Sequence, residues 1–242
     1  MSEAKQQPKT VLITGVTSGI GFTTAEHLHE MGYKLLLVGR DEQKLISVSE
    51  QLGKEAYYIC DLEHTDQIEG IFNFCKKNNI KLDGMVHSAG YAVNMPIRIF
   101  KAADMERQMR IHYYAFLELC RFFSNKKYSN DGASIIAMSS LASLTARKGS
   151  VLYASSKNAL NAAVKVASKE FIKRAIRVNA LLPAYVDTRM NTGLEDLVNV
   201  AERQPMGLIP PKNIAYVIEF LLSEKSKYIT GALIPVSAGM EE

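Results

Sequence analysis

The chain has 242 residues, 47% hydrophobic and 22% charged, with a formal net charge of +4, the balance of an ordinary globular protein long enough for one α/β domain. Its lysines and arginines are spread out, in pairs such as Lys76-Lys77 and Lys126-Lys127, which excludes a clustered nucleic-acid footprint, and no stretch approaches the roughly 20 apolar residues of a membrane helix. Cys60, Cys75 and Cys120 show no metal spacing and cannot all pair. With a polar segment from Met1 to Thr10 that lacks a signal-peptide core, they predict a cytoplasmic protein without a metal or a membrane anchor.

In chain order, Val11-Leu12-Ile13 predicts a strand, followed by Thr14-Gly15-Val16-Thr17-Ser18-Gly19-Ile20-Gly21 and a helical pattern through Met31, with Gly32 as its stop. A strand, glycine-rich turn and helix place backbone N–H groups where an anion is stabilised. Gly15, Thr17, Ser18, Gly19, Ile20 and Gly21 are therefore candidates for holding a cofactor's phosphates. The glycine spacing, three residues and then one, departs from the usual dinucleotide fingerprint and serves a plain loop equally well.

Lys34–Val38 reads as the second strand, ending in Gly39-Arg40. A carboxylate at this distance from the turn selects NAD, whereas an arginine accommodates a 2′-phosphate. Arg40 thus predicts NADP(H), with NADPH preferred over NADH, while Asp41 reads as the N-cap of a helix over Glu42–Leu52.

The alternation continues: strand Ala56–Cys60, helix Thr65–Asn78, strand Gly84–His87, one long helix Ala102–Phe123, strand Ser134–Met138, helix Leu152–Ala175, strand Ile176–Ala180, helix Asn213–Leu222 and strand Ala232–Pro235. Seven strands with intervening helices imply a doubly wound parallel sheet, Rossmann-type, with helices on both faces and a single domain over 1–242. In such sheets ligands bind beyond the carboxyl ends of the strands, so Gly15, Arg40, Asp61, Gly90, Ser140 and Pro183 should gather along one edge. The irregular stretch Pro183–Pro211, rich in apolar residues such as Met190, Leu194 and Ile209, is expected to supply a substrate lid over 188–211.

On the Leu152 helix, Tyr153 and Lys157 stand four residues apart and share a face. An ammonium beside a phenol favours the phenolate and makes the tyrosine a usable proton donor near neutrality. Such a pair also arises by chance as a buried ring and a solvated charge, so its weight comes from the surrounding pattern. Ser140, just after the strand Ser134–Met138, adds a hydroxyl able to hold a carbonyl. Tyr91, Val93, Met95, Leu144 and Tyr185 suggest an apolar or acyl-like substrate, and Arg147 and Lys148 read either as favouring an acidic carrier or, the preferred reading, as solvated rim charges.

Taken together, Thr14-Gly15 with Gly19 and Gly21, Cys60-Asp61-Leu62, Ser88-Ala89-Gly90, Ser139-Ser140, Tyr153 with Lys157, Arg177-Val178-Asn179-Ala180 running into Pro183, Val186-Asp187-Thr188 and Tyr228-Ile229-Thr230-Gly231 resemble the short-chain dehydrogenase/reductase family over nearly the whole chain. Within it the chain looks most like bacterial 3-oxoacyl-(acyl-carrier-protein) reductases. The resemblance implies an NADPH-dependent oxidoreductase that reduces a small-molecule or carrier-bound ketone, usually as a homotetramer or homodimer. Tyr153 would be the proton donor, Ser140 would orient the carbonyl, and Lys157 would bind the nicotinamide ribose and lower the tyrosine's pKa. Asp61 would meet the adenine edge, Gly90 the cofactor's middle and Thr188 the nicotinamide amide, with Leu62, Ala89, Pro183 and Val186 also binding the cofactor.

The pattern departs from the family at three places. His112 stands where an Asn is usual and becomes a candidate catalytic residue, His87-Ser88 replaces a pair of asparagines, and Ala184 replaces a glycine after Pro183. His112 either takes over the asparagine's part and shifts the pH optimum, since imidazole titrates near neutrality, or makes a backbone contact only. The alternative to an enzyme is a catalytically weak NADP-binding sensor or scaffold.

Overall fold

The computed structural model describes residues 7–189, 200 and 202–240. All seven predicted strands form, as β1 (Thr10–Thr14), β2 (Lys34–Gly39), β3 (Ala56–Ile59), β4 (Leu82–His87), β5 (Ser129–Met138), β6 (Arg177–Pro183) and β7 (Leu233–Val236). They pair in parallel in the order β3-β2-β1-β4-β5-β6-β7. The inner strands are continuous apolar runs because a parallel sheet is covered on both faces.

Alternate residues of each strand feed opposite cores. Leu12, Leu36, Met85, Ile135 and Val178 face α3 (Ile68–Lys77), α5 (Ala115–Phe123) and α7 (Val151–Glu170), where Phe72, Phe116, Leu119 and Leu160 pack. Val11, Ile13, Leu37, Val86, Ile136 and Leu181 face α1 (Gly19–Glu30), α2 (Glu42–Gln51) and the helix Pro211–Leu222, here α8, through Leu28, Leu45, Ile214 and Ile218. The order reverses between β1 and β4, and a crevice opens at their carboxyl ends, as doubly wound sheets require.

Three predicted helices are broken. Thr65–Asn78 begins as a 3₁₀ turn over Thr65–Gln67 before α3. The long helix expected over Ala102–Phe123 is α4 (Ala102–Met109) and α5 joined by a π-turn over Arg110–Tyr114, where the Ala115 amide bonds the Arg110 carbonyl five residues back. A π-turn inserts one residue without changing the apolar period on either side, so sequence periodicity passes over it. A short helix, α6 (Ala142–Thr145), precedes α7, and α7 ends at Glu170 in a 3₁₀ turn over Phe171–Arg174.

The lid reading falls in part on 190–199 and 201, outside the described residues. Its two roots are tied together: Val186 bridges Ile209, and the buried Gln204 amide donates to the Tyr185 carbonyl at 3.0 Å while its oxygen accepts from the Tyr185 amide at 2.9 Å. Among the described residues no helix is long and apolar enough to cross a membrane.

Candidate active site

A cavity of about 600 Å³ runs along the carboxyl ends of the strands. At one end the chain leaves β1 through Gly15, which has φ +72° and where a Cβ would come within 2.7 Å of the Ala89 amide nitrogen. A Cβ on Gly21 would strike the Gly15 carbonyl oxygen, so only glycine lets β1, α1 and the loop after β4 close on one another. The resulting backbone trough opens on the N-terminus of α1, which has no side-chain cap from Ser18 and no carboxylate in its first turn. Free N–H groups and the helix dipole make that end a seat for phosphate.

Thr17, Ser18, Gly19, Ile20, Asp61, Leu62, Ala89, Gly90, Pro183, Val186 and Thr188 border the same cavity, as do Gly15, Gly21, Arg40, Ser140 and Tyr153. Asp41 caps α2, its carboxylate accepting the Lys44 amide at 3.1 Å, which leaves Arg40 as the charged group at the tip of β2. The Arg40 guanidinium is 66% exposed and 3.8 Å from the Glu63 carboxylate, so it is available to a further anion. A glycine-walled trough, an uncapped helix start and an exposed guanidinium together fit a phosphorylated dinucleotide.

The other end carries Ser140 and Tyr153. Desolvation raises the Tyr153 phenol above its ordinary value, and a hydrogen bond with the Ser140 hydroxyl pulls it partly back. Lys157 is buried behind the ring, its ammonium donating to the Met138 carbonyl at 2.7 Å and standing 5.7 Å from the Tyr153 ring centroid. Burial lowers Lys157 to about 7. The ammonium is turned to a strand-end carbonyl, and burial is the largest influence on the phenol. Lys157 does not itself border the cavity.

Nor does His112. It is fully buried in the π-turn, edge-on to Tyr153 with ring centroids 5.5 Å apart. The Ser156 hydroxyl spends its proton on the Tyr153 carbonyl at 2.8 Å, so it accepts from Nδ1 of His112 at 2.9 Å. That assigns the tautomer and leaves Nε2 as a lone pair with no partner. A Cβ on Gly90 would lie 2.5 Å from this Nε2 and 3.6 Å from the Lys157 ammonium, so imidazole and lysine converge beneath Gly90. Burial, followed by the charge of Lys157, holds His112 well below its ordinary value. The near-neutral titration expected of it is thus corrected: its surroundings favour the uncharged ring.

His87 is also buried, accepting from the Thr14 hydroxyl at Nδ1 (3.1 Å) and donating from Nε2 to the Ile111 carbonyl (3.1 Å). The Thr14 oxygen in turn accepts from the Ser88 and Ala89 amides. One imidazole therefore ties the end of β1 to the π-turn that presents His112, in place of the amides the family pattern would supply.

Of the residues expected at the substrate end, Tyr91 and Tyr185 border the cavity, whereas Val93, Met95 and Leu144 do not. Leu144 points outward from α6, 43% exposed. Sequence reasoning missed Glu63, which meets both Arg40 and Arg107, and Ser150, whose hydroxyl closes the turn before α7 on the Arg147 carbonyl. Neither belongs to a motif. Arg147 is not a rim charge: it is half-buried and packs over the Tyr185 ring. Among the described residues no three histidine, cysteine or acidic side chains come together as for a metal.

A family model described as enoyl-(acyl carrier protein) reductase matches residues 15–241. A 3-oxoacyl-[acyl-carrier-protein] reductase of Rickettsia prowazekii is 32% identical over 237 residues, covering 96% of each chain. Among solved structures, a short-chain dehydrogenase/reductase of Brucella melitensis titled glucose/ribitol dehydrogenase superposes with a TM-score of 0.91 at 27% identity, covering 97% of each chain. A metagenomic blue fluorescent protein in complex with NADPH superposes with a TM-score of 0.90 at 25% identity, covering 97% of this chain and 98% of that one.

Proposed function

The chain belongs to the short-chain dehydrogenase/reductase family and is an NAD(P)-dependent oxidoreductase, and on that premise we propose that it uses NADPH to reduce a ketone, a 3-oxoacyl compound or a similar carbonyl with an apolar chain, to a secondary alcohol. The observation that carries the reading is the convergence of Ser140 and Tyr153 on one cavity with the glycine-walled phosphate seat and Arg40. The 3-oxoacyl reductase of R. prowazekii and the NADPH-bound neighbour support it.

Gly15, Thr17, Ser18, Gly19, Ile20 and Gly21 would hold the cofactor's phosphates, Arg40 its 2′-phosphate, Asp61 and Leu62 its adenine, and Ala89, Gly90, Pro183, Val186 and Thr188 its middle and nicotinamide end, with Lys157 reaching the nicotinamide ribose once its ammonium leaves the Met138 carbonyl. The cofactor, when bound, supplies the hydride. Ser140 fixes the carbonyl oxygen, and Tyr153, kept protonated by burial, gives its proton to that oxygen as negative charge develops there. Lys157, poised near neutrality, stabilises the phenolate left behind. His112 leaves an unpartnered acceptor beneath Gly90 on the side where Lys157 lies. The loop over 188–211 would close on the substrate.

The exposed apolar residues Leu117 on α5 and Val166 on α7 support self-association as a homotetramer or homodimer, and the buried, unpaired Cys60, Cys75 and Cys120 support a reducing cytoplasm. The test is a fluorescence titration with NADPH and with NADH, followed by turnover of a 3-oxoacyl thioester by the wild type and by Tyr153→Phe. Tighter NADPH binding, turnover, and at least a ~1,000-fold loss of kcat with intact cofactor binding in the variant are expected, since proton transfer and oxyanion stabilisation are removed together. NADPH binding without turnover of any ketone would favour a sensor or scaffold.

A further inference from the structure

The substrate end of the cavity holds a cation that this chemistry leaves unused. Arg147, on the turn between α6 and α7, borders the cavity with Ser140, Ser150 and Tyr153. Its guanidinium lies over the Tyr185 ring, 4.9 Å from the centroid, and Nη1 donates to the Tyr185 hydroxyl. Nη2 points at the Met240 thioether, 2.7 Å away, and Nε–H is buried without an acceptor.

Among the described residues no carboxylate lies within ion-pair distance of Arg147. The carboxylates that border the cavity, Asp61 and Glu63, follow β3 at the opposite end, and Glu63 already faces Arg40. Lys148 borders the cavity beside Arg147, so among the described residues the charged side chains that line the substrate end are cationic.

A guanidinium has five donors in a rigid fork. Here one meets a hydroxyl, one a thioether that accepts weakly, and one is shut away from water with nothing to bond. A buried donor left unsatisfied costs free energy, and stacking on Tyr185 keeps the fork from swinging out to solvent. Two oxygens of one anion, received by Nε and Nη2, would satisfy the orphan and replace the thioether in a single bidentate contact.

We infer that Arg147 binds an anionic group on the substrate, and that the substrate is an oxo acid whose carboxylate it holds while Ser140 and Tyr153 take the ketone. The inference rests on the ketone-reductase reading and narrows its substrate class. The phosphate of a carrier arm offers similar chemistry, and the test separates the two.

With NADPH, kcat/KM is measured for a 3-oxo acid, for its neutral methyl ester and for the corresponding coenzyme A thioester, in the wild type, Arg147→Met and Arg147→Lys. Charge-assisted hydrogen bonds correspond to a factor of roughly ten to one hundred. The wild type should favour the acid over the ester. Arg147→Met should lower the acid-to-ester ratio at least ~tenfold, mainly through KM, and Arg147→Lys should recover part of it. An unchanged ratio overturns the inference, as does a loss confined to the thioester, which would assign the phosphate instead.

Calorimetric titration with the 3-hydroxy acid needs no turnover and keeps the two readings apart. Binding by the wild type that Arg147→Met loses and Arg147→Lys partly restores supports the anion site even if no ketone is reduced. Equal binding by all three proteins overturns it.

Discussion

A histidine shut inside a sheet makes its own demand on pH. His87 is 1% exposed and held at about 3, chiefly by desolvation and then by the charge of Lys157. Below its ordinary value of 6.5 the unfolded chain takes up a proton that the folded imidazole refuses, so stability falls as pH drops from about 6.5 towards 3 and is independent of this group above that range. At pH 5 the loss from His87 is about 2 kcal/mol, at about 1.4 kcal/mol per pH unit. His112 acts in the same direction. Urea unfolding at pH 7 and pH 5 should show a stability difference about 2 kcal/mol smaller in His87→Gln than in the wild type. Equal differences would mean that His87 titrates normally. Residue identity announced both histidines as departures from the family pattern, but not their protonation, because desolvation depends on what packs around a ring.

At the scale of elements, the β1–α1 turn was legible in full and the α4–α5 junction was not. Gly15 and Gly21 mark a place where backbone meets backbone, a steric demand that a glycine states openly in sequence. Gly21→Ala forces its methyl group onto the Gly15 carbonyl, and should cost roughly 1–3 kcal/mol of stability, the usual cost of overpacking. It should also weaken dinucleotide binding. Thermal unfolding together with a nicotinamide fluorescence titration checks both, and wild-type affinity would show that the trough is not the phosphate seat. The π-turn at Arg110–Tyr114 left no such mark. It becomes visible only once His87 is seen bonding the Ile111 carbonyl and His112 is seen turned beneath Gly90.

At the scale of the molecule, one sheet carries two cores, and each strand contributes alternate side chains to both. Phe116 fills the centre of one core, fully buried, with its ring 5.9 Å from that of His87. Phe116→Ala should cost about 3–5 kcal/mol, the range for emptying a buried aromatic site, and should still unfold in a single transition because the sheet couples both faces. Two transitions in denaturant would show that the faces are independent. By itself the sequence determined the strand–helix alternation, the parallel doubly wound class, the end of each strand to within a few residues and so the edge on which a site must form, because periodicity and turn chemistry are local properties. Only the tertiary structure decided that Lys157 faces the Met138 carbonyl, that His112 is held as an uncharged acceptor behind the cavity, that Glu63 joins Arg40, and that Arg147 is a half-buried fork with an orphan donor. Each of those depends on which side chains from distant strands exclude water from one another, and exclusion of water is set by the assembled fold.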